Sequence, residues 1–286
     1  MPTPMPLKDT PEILTWDNRF IAMLTDKFGP QLWLDDAEES KALIASIKSL
    51  YSKVKNSHRK QKRMTWGKYF DTHVLPVVEI TLSFSKANVW DAIVALAHDF
   101  PEDDEEMTQE EALDWIAHTF GKKWGPLLRS SIANLTKAEL PNYIDGSAKD
   151  KFAQKSPEDQ QVFLQANKQD LSEIRGEKYF ANLDLNGDDR DLRVKTADSM
   201  HNLMSCHTLW PKKIEKTLSE KESYLVPILK KRDMIEELRA LEIAIAITKI
   251  VQHQKDVSDS IIAVLKHISF PGTSKAIMSL FQRPTT

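Results

Sequence analysis

The stretch "VALAHDFPEDDEEMTQEEALDWI", residues 94–116, decides how the chain folds around its chemistry. An apolar run from Val94 to Ala97 ends in the doublet His98-Asp99, with Pro101 and a run of acids directly behind it. Pro101 has no N–H to give Ala97 and its ring opposes that carbonyl, so the helix is expected to end near Asp99 or Phe100. Thr108, followed three residues later by Glu111 and then by Ala112, Leu113 and Ile116, predicts a capping box and a new helix. Adjacent side chains on a helix diverge by about 100°, yet His98 and Asp99 can both bend toward one ion at a helix end. Glu102 and Asp103 then occupy the next turn or a loop. One reading is a break that lets a concave site draw ligands from several directions. The plainer reading is a helix terminus carrying solvated acids.

Working outward, the 286 residues hold 8 glycines and 14 prolines and show no sustained apolar–polar alternation, which predicts an all-α fold. Helical periodicity marks "ESKALIASIKSLYSKVKNSHRKQKR", "HVLPVVEITLSF", "KANVWDAIVALAHD", "GPLLRSSIANL" and "LRVKTADSMHNLMSCHTL". It also marks "PEDQQVFLQANKQDLSEI", "ESYLVPILKKRDMIEELRALEIAIAITKIVQHQ" and "DVSDSIIAVLKHI". "SPEDQ" sets Ser156 as a cap with Pro157 at the first helical position. The polar, broken segment 137–160 is expected to link two parts of one helical body.

Three segments are expected: an N-terminal arm and first helix at 1–35, a main domain at 36–232, and a C-terminal helical extension at 233–286 on the same body. At 41% hydrophobic and 28% charged residues with a net charge of -3, the composition fits a globular protein and gives no global reason to expect nucleic-acid binding. The single cysteine, Cys206, excludes an intrachain disulfide and a multi-thiolate zinc site and suits a reducing, cytoplasmic setting. "MPTPMPLKDTPEILTW" reads as a loose arm, and "LRALEIAIAITKIV" is too short and too charged to span a bilayer.

Two distant positions bear on the doublet. His73 stands at the entry to an apolar helix, and Asp198 is a carboxylate inside an otherwise buried-looking helical pattern. A lone carboxylate in an apolar setting is costly unless a cation satisfies it. Two imidazoles and two carboxylates suit Mn, Fe, Zn or Mg and leave room for a water directed at a phosphorus centre.

The set "THVLPV", "HDFPED" and "KTADSMHN" resembles the His, His-Asp, Asp signature of HD-domain phosphohydrolases, and more narrowly the RelA/SpoT-related alarmone hydrolases. "HRKQKR" resembles the family's HxxQxR run, which puts His58, Gln61 and Arg63 in register. "YLVP", with Tyr224 and Pro227, resembles the tyrosine and proline after the last ligand, and the likeness spans roughly residues 40 to 230. The sequence departs from that pattern at Met64, Val74, Pro101 and Thr196. Nothing beyond residue 230 resembles a nucleotide-making domain.

The resemblance implies an HD-type helical fold and a hydrolase that removes the 3′-pyrophosphate of guanosine tetra- or pentaphosphate. It implies His73, His98, Asp99 and Asp198 as ligands of one divalent metal, Mn²⁺ first, with Zn²⁺, Fe²⁺ and Mg²⁺ as alternatives. Glu102 and Asp103 would orient or deprotonate the water, while Arg63, Lys137, Asn202 and Tyr224 would bind the nucleotide. His201 would support the fold. Rival readings keep the same centre for another nucleotide, such as the 2′-phosphate of NADPH, or give an idle nucleotide-binding regulator. The expected partner is the nucleotide, with no membrane and no nucleic acid. A functional pairing with an alarmone-synthetase toxin is compatible with this reading.

"NLDLNGDDRDLR" imitates an EF-hand at residues 182, 184, 186 and 187. Its closing position, however, is Arg193 where a bidentate Glu is required, so a non-binding loop tightening at Gly187 is expected.

Overall fold

The computed structural model describes residues 18–28, 37–63, 67–205 and 211–253. The expected arm, Met64, Cys206, His207 and the "DVSDSIIAVLKHI" run lie outside them. Among the described residues the regular structure is helical, apart from one hairpin of two two-residue strands. α1 (Asn18–Phe28) and α2 (Ala37–Ser57) precede that hairpin, in which Lys62 pairs with Lys68 and Arg63 with Gly67. α3 (Leu75–Ser83) comes next; the end of α4 (Val89–Ala97) and the single turn α5 (Phe100–Asp103) carry the first half of the quoted stretch, and the start of α6 (Gln109–Leu135) its second half. A short α7 (Gly146–Ala153) leads to α8 (Pro157–Ala166), α9 (Lys168–Asn186) and α10 (Asp189–Ser205). α11 (Pro211–Glu220), α12 (Val226–Lys231) and α13 (Ile235–His253) complete the described chain.

Local chemistry sets these boundaries. Asn88 caps α4 by accepting from the amides of Trp90 and Asp91, and Asp91 answers with the reciprocal bond. The Thr108–Glu111 box opens α6 and Ser156 caps α8, both as the sequence predicts. α4 ends at Ala97, ahead of the proline. α6 is bent at Gly121, whose φ of +66° L side chains rarely adopt. The bend brings Gly125 so near the Ala117 carbonyl that a Cβ there would lie 2.0 Å from the oxygen, so only glycine fits. "TQEEALDWIAHTF" and "GPLLRSSIANL" are thus two straight segments, as their separate periodicities suggest.

Two helices widen into π-turns, at Phe70–Val74 and Lys221–Leu225, and each runs into a helix with proline near its start, Pro76 and Pro227. Proline cannot donate to the carbonyl four residues back and its ring crowds it. The chain takes up one extra residue instead, and the amides of Leu75 and Val226 reach back to Phe70 and Lys221.

The run read as one periodic stretch from 222 to 254 is broken behind α12. Asp233 is left-handed (φ 55°), and the amides of Asp233 and Met234 bond the carbonyls of Lys230 and Leu229. The buried Met234 side chain completes a Schellman-type stop.

α4 and α10 form the centre, and α10 packs against α3, α4 and α13. Every residue of α4 from Asp91 to Ala97 is buried, as expected of a helix covered on all sides. Leu241, Ala244, Ile245 and Ile247 of α13 join the same core. Segment 137–160 is more than a polar link. Tyr143, Ile144 and Phe152 join Leu171 in a small separate core. The imitation calcium loop is helical to Asn186 and turns at Gly187, and Arg193 is buried in α10.

Candidate metal centre

Three separate pieces of chain deliver the four predicted ligands to one place. His73 comes from the π-turn before α3, His98 caps the end of α4, Asp99 opens α5, and Asp198 projects from α10. The Asp99 Oδ2 atom lies 3.1 Å from Nε2 of His73 and 3.1 Å from Nε2 of His98. Asp198 Oδ1 stands 3.5 Å from the first imidazole and 3.9 Å from the second. Ligands held about 2.0–2.2 Å from one ion are themselves roughly 3–3.5 Å apart, so these separations fit a single cation. His73, His98 and Asp99 make the tightest group, with Asp198 closing it from α10.

The hydrogen bonds around the ligands orient their lone pairs. His98 Nδ1 donates to the Ala95 carbonyl at 2.7 Å, which directs the other ring nitrogen inward. That Nε2 is buried without a hydrogen-bond partner, the state expected of a nitrogen reserved for a metal. His73 Nδ1 meets Nδ1 of His201 at 2.8 Å. His201 is therefore the hydrogen-bond partner of a predicted ligand, at the ring nitrogen that faces away from Asp99. Tyr69 Oη donates to Asp99 Oδ2 at 2.6 Å. Lys195 Nζ donates to Asp198 Oδ2 at 2.8 Å, and Asn202 Nδ2 to Oδ1 at 2.6 Å.

The charges reinforce one another. Burial works against ionising Asp99, but the His98 and His73 imidazoles hold its carboxyl well below the usual range. Burial likewise opposes ionised Asp198, and Lys195 with His98 and His73 outweighs it. His98 is disfavoured as a cation by burial, yet Asp99 and Asp198 push it up to about 9. The group thus attracts positive charge, whether from protons or from a metal ion.

These residues line one pocket with Tyr69, Glu102, Leu135, Lys137, Val194, Lys195 and Asn202. Glu102 stands at its solvent edge and accepts the Lys137 amide at 2.7 Å. Burial against the pocket wall and then the Asp99 charge raise its carboxyl. Asp103 lies beside it against His58 and Gln61, and burial followed by the Asp99 charge pushes it up to about 6. The Lys137 and Lys195 ammonium groups sit over the ring of Tyr179, at 5.2 and 5.1 Å from its centroid. Lys195 lowers the pKa of Lys137 by direct repulsion, with burial second.

Of the predicted nucleotide contacts, Lys137 and Asn202 are in the pocket wall. Tyr224 is not among its lining residues and stacks on Phe180 at 5.4 Å with 10° between the rings. Arg63 is placed by its backbone pairing with Gly67, and its side chain lies outside the described residues. The residues missed by sequence reasoning are Tyr69, Lys195 and the pairing role of His201. Each carried a usable signal: Tyr69 lies four residues before His73, and Lys195 and His201 flank Asp198 at helical spacing.

No helix among the described residues is long and apolar enough to cross a membrane. Neither a scan of known protein families nor a search of curated proteins finds a match to the chain.

Proposed function

We propose that this pocket is the active site of a metal-dependent hydrolase that removes the 3′-pyrophosphate from guanosine tetra- and pentaphosphate. The observation that carries the reading is the meeting of His73, His98, Asp99 and Asp198, from segments far apart in sequence, beside two pocket lysines. A divalent cation held by those four side chains, Mn²⁺ first, supplies Lewis acidity toward phosphoryl oxygens and lowers the pKa of a water. The order of the motifs along the chain, and their resemblance to alarmone hydrolases, give the substrate.

The protein's own groups divide the remaining work. Lys137 and Lys195 repel each other in the pocket, and a polyanionic pyrophosphate relieves that repulsion. Glu102 and Asp103 accept the proton released as water oxygen bonds to the phosphorus nearest the ribose. As the bond from that phosphorus to O3′ breaks, the proton returns to the ribose oxygen, leaving GDP or GTP and free pyrophosphate. Asn202 holds Asp198 in place from one turn further along α10.

The test is product analysis with metal-stripped protein reloaded with Mn²⁺ and offered guanosine tetraphosphate and NADPH in parallel. Pyrophosphate from the first substrate is expected. Inorganic phosphate from NADPH alone would move the activity to another nucleotide. Tight nucleotide binding without turnover would make the protein a regulator.

A further inference from the structure

We infer that His58 and Gln61 form a positioning chain that aims the Asp103 carboxylate, so that the chain entering the hairpin at residues 58–61 helps build the active site. The inference deepens the hydrolase reading and rests on it.

His58 lies just past α2 and is wholly buried, unlike its polar neighbours Asn56, Ser57, Arg59, Lys60 and Gln61. Its Nδ1 stands 2.8 Å from Gln61 Oε1. An amide oxygen can only accept, so Nδ1 carries the hydrogen. A neutral imidazole has one N–H, which leaves Nε2 bare, and Nε2 is indeed buried without a hydrogen-bond partner. Burial keeps this ring neutral by lowering its pKa. His58 Nδ1 is 3.7 Å from Asp103 Oδ2, too far for a direct hydrogen bond. The link runs through Gln61, whose side chain acts on the Asp103 carboxyl and lowers its pKa against the effect of burial. With Oε1 committed to His58, the amide NH₂ is the end that meets the carboxylate. Reversing the amide would set its oxygen against the carboxylate, one acceptor facing another.

The same piece of chain steadies the neighbouring metal ligand. The Gln61 amide bonds the His58 carbonyl at 3.1 Å, and the Tyr69 amide bonds the Gln61 carbonyl at 3.1 Å. Tyr69 then clamps Asp99 through its hydroxyl. One segment therefore fixes Asp99 by a phenol and Asp103 by an amide. The Asp103 amide bonds the Asp99 carbonyl at 3.1 Å, so both carboxylates belong to one turn. A bare, buried imidazole nitrogen is costly when unsatisfied, and the ring is kept in that state by the donor role of Nδ1.

The experiment uses the full chain loaded with Mn²⁺ and measures kcat and KM for guanosine tetraphosphate together with the Mn²⁺ Kd. His58→Asn keeps a donor near the Nδ1 position, whereas His58→Gln places one near Nε2. Gln61→Met removes the amide. We expect Gln61→Met and His58→Gln to lower kcat by about 10- to 100-fold, the usual range for groups that orient a reacting residue. KM and Kd should stay within about twofold, and His58→Asn should recover most of the loss. Equal loss in both histidine variants, unchanged kcat in Gln61→Met, or Kd rising in step with the loss of kcat would overturn the inference. Should the histidine variants unfold, Gln61→Met decides alone, because Gln61 is partly exposed. Absence of wild-type turnover sinks the hydrolase reading instead. In that event the ¹⁵N spectrum of His58 still decides: hydrogen on Nδ1 supports the chain, and hydrogen on Nε2 refutes it.

Discussion

α4 and α10 carry two clusters of buried charge, and they differ in whether each is complete. Near the start of both helices, Arg193 donates to Asp91 and, at 2.9 Å, to Glu237 of α13, with Asp91 also accepting the Asn88 amide at 2.9 Å. Further along, His73, His98, Asp99 and Asp198 gather with an imidazole nitrogen left over and a pocket beside them. The first cluster is sealed and satisfied, and joins three helices. The second has more ligand atoms than the protein itself uses. Buried charge alone therefore does not mark a site. Unfilled coordinating capacity next to solvent does.

Breaking the sealed cluster should have the largest effect. Arg193→Ala leaves two buried carboxylates unpaired and is expected to cost about 3–5 kcal/mol of stability, read by urea denaturation. Turnover per folded molecule should be unchanged, and a selective loss of turnover in a stable variant would show that the two clusters are not separate. Asp198→Ala acts on the other cluster: kcat per folded molecule should fall by more than about 100-fold, with a loss of stability beside it because the buried Lys195 ammonium loses its partner. A third variant, His201→Leu, removes the partner of a ligand and should weaken Mn²⁺ binding by about 10- to 100-fold, measured by calorimetry. Unaltered affinity would leave His201 with a packing role only.

The smallest effect concerns Lys221, from the second π-turn, whose Nζ lies 2.8 Å from Glu220 Oε1. Burial, and then the Lys195 charge, lower its pKa from 10.5 to about 8. The folded state thus holds that proton less tightly than the unfolded chain does. This group's contribution to stability rises as pH climbs from about 8 toward 10.5 and is lost on the way down. Melting curves of wild type and Lys221→Met, compared between those limits, should show that gain only in the wild type. Parallel curves would refute it.

The residues legible in the sequence are those whose pattern is local. Thr108 and Glu111 announce a helix start, Pro101 announces a stop, and His98-Asp99 declares itself as a doublet. The meeting of His73 and Asp198 with that doublet needed a family resemblance, because nothing within a helical turn connects them. The sealed cluster was invisible. Arg193 looked like the closing residue of a failed calcium loop, and its partners Asp91 and Glu237 lie 102 and 44 positions away. Tyr143, Ile144 and Phe152 were hidden by the polar residues around them, and their small core exists only once the chain returns with Leu171. The π-turns were readable in part, since "HVLP" and "YLVP" each set a proline where a helix would continue.

The most direct test is manganese stoichiometry by electron paramagnetic resonance on metal-stripped protein, wild type against His98→Ala. One bound Mn²⁺ per wild-type chain and none in the folded variant is the predicted result. Equal binding in both, or no stoichiometric binding in wild type, would contradict the claim that these four side chains form one cation site.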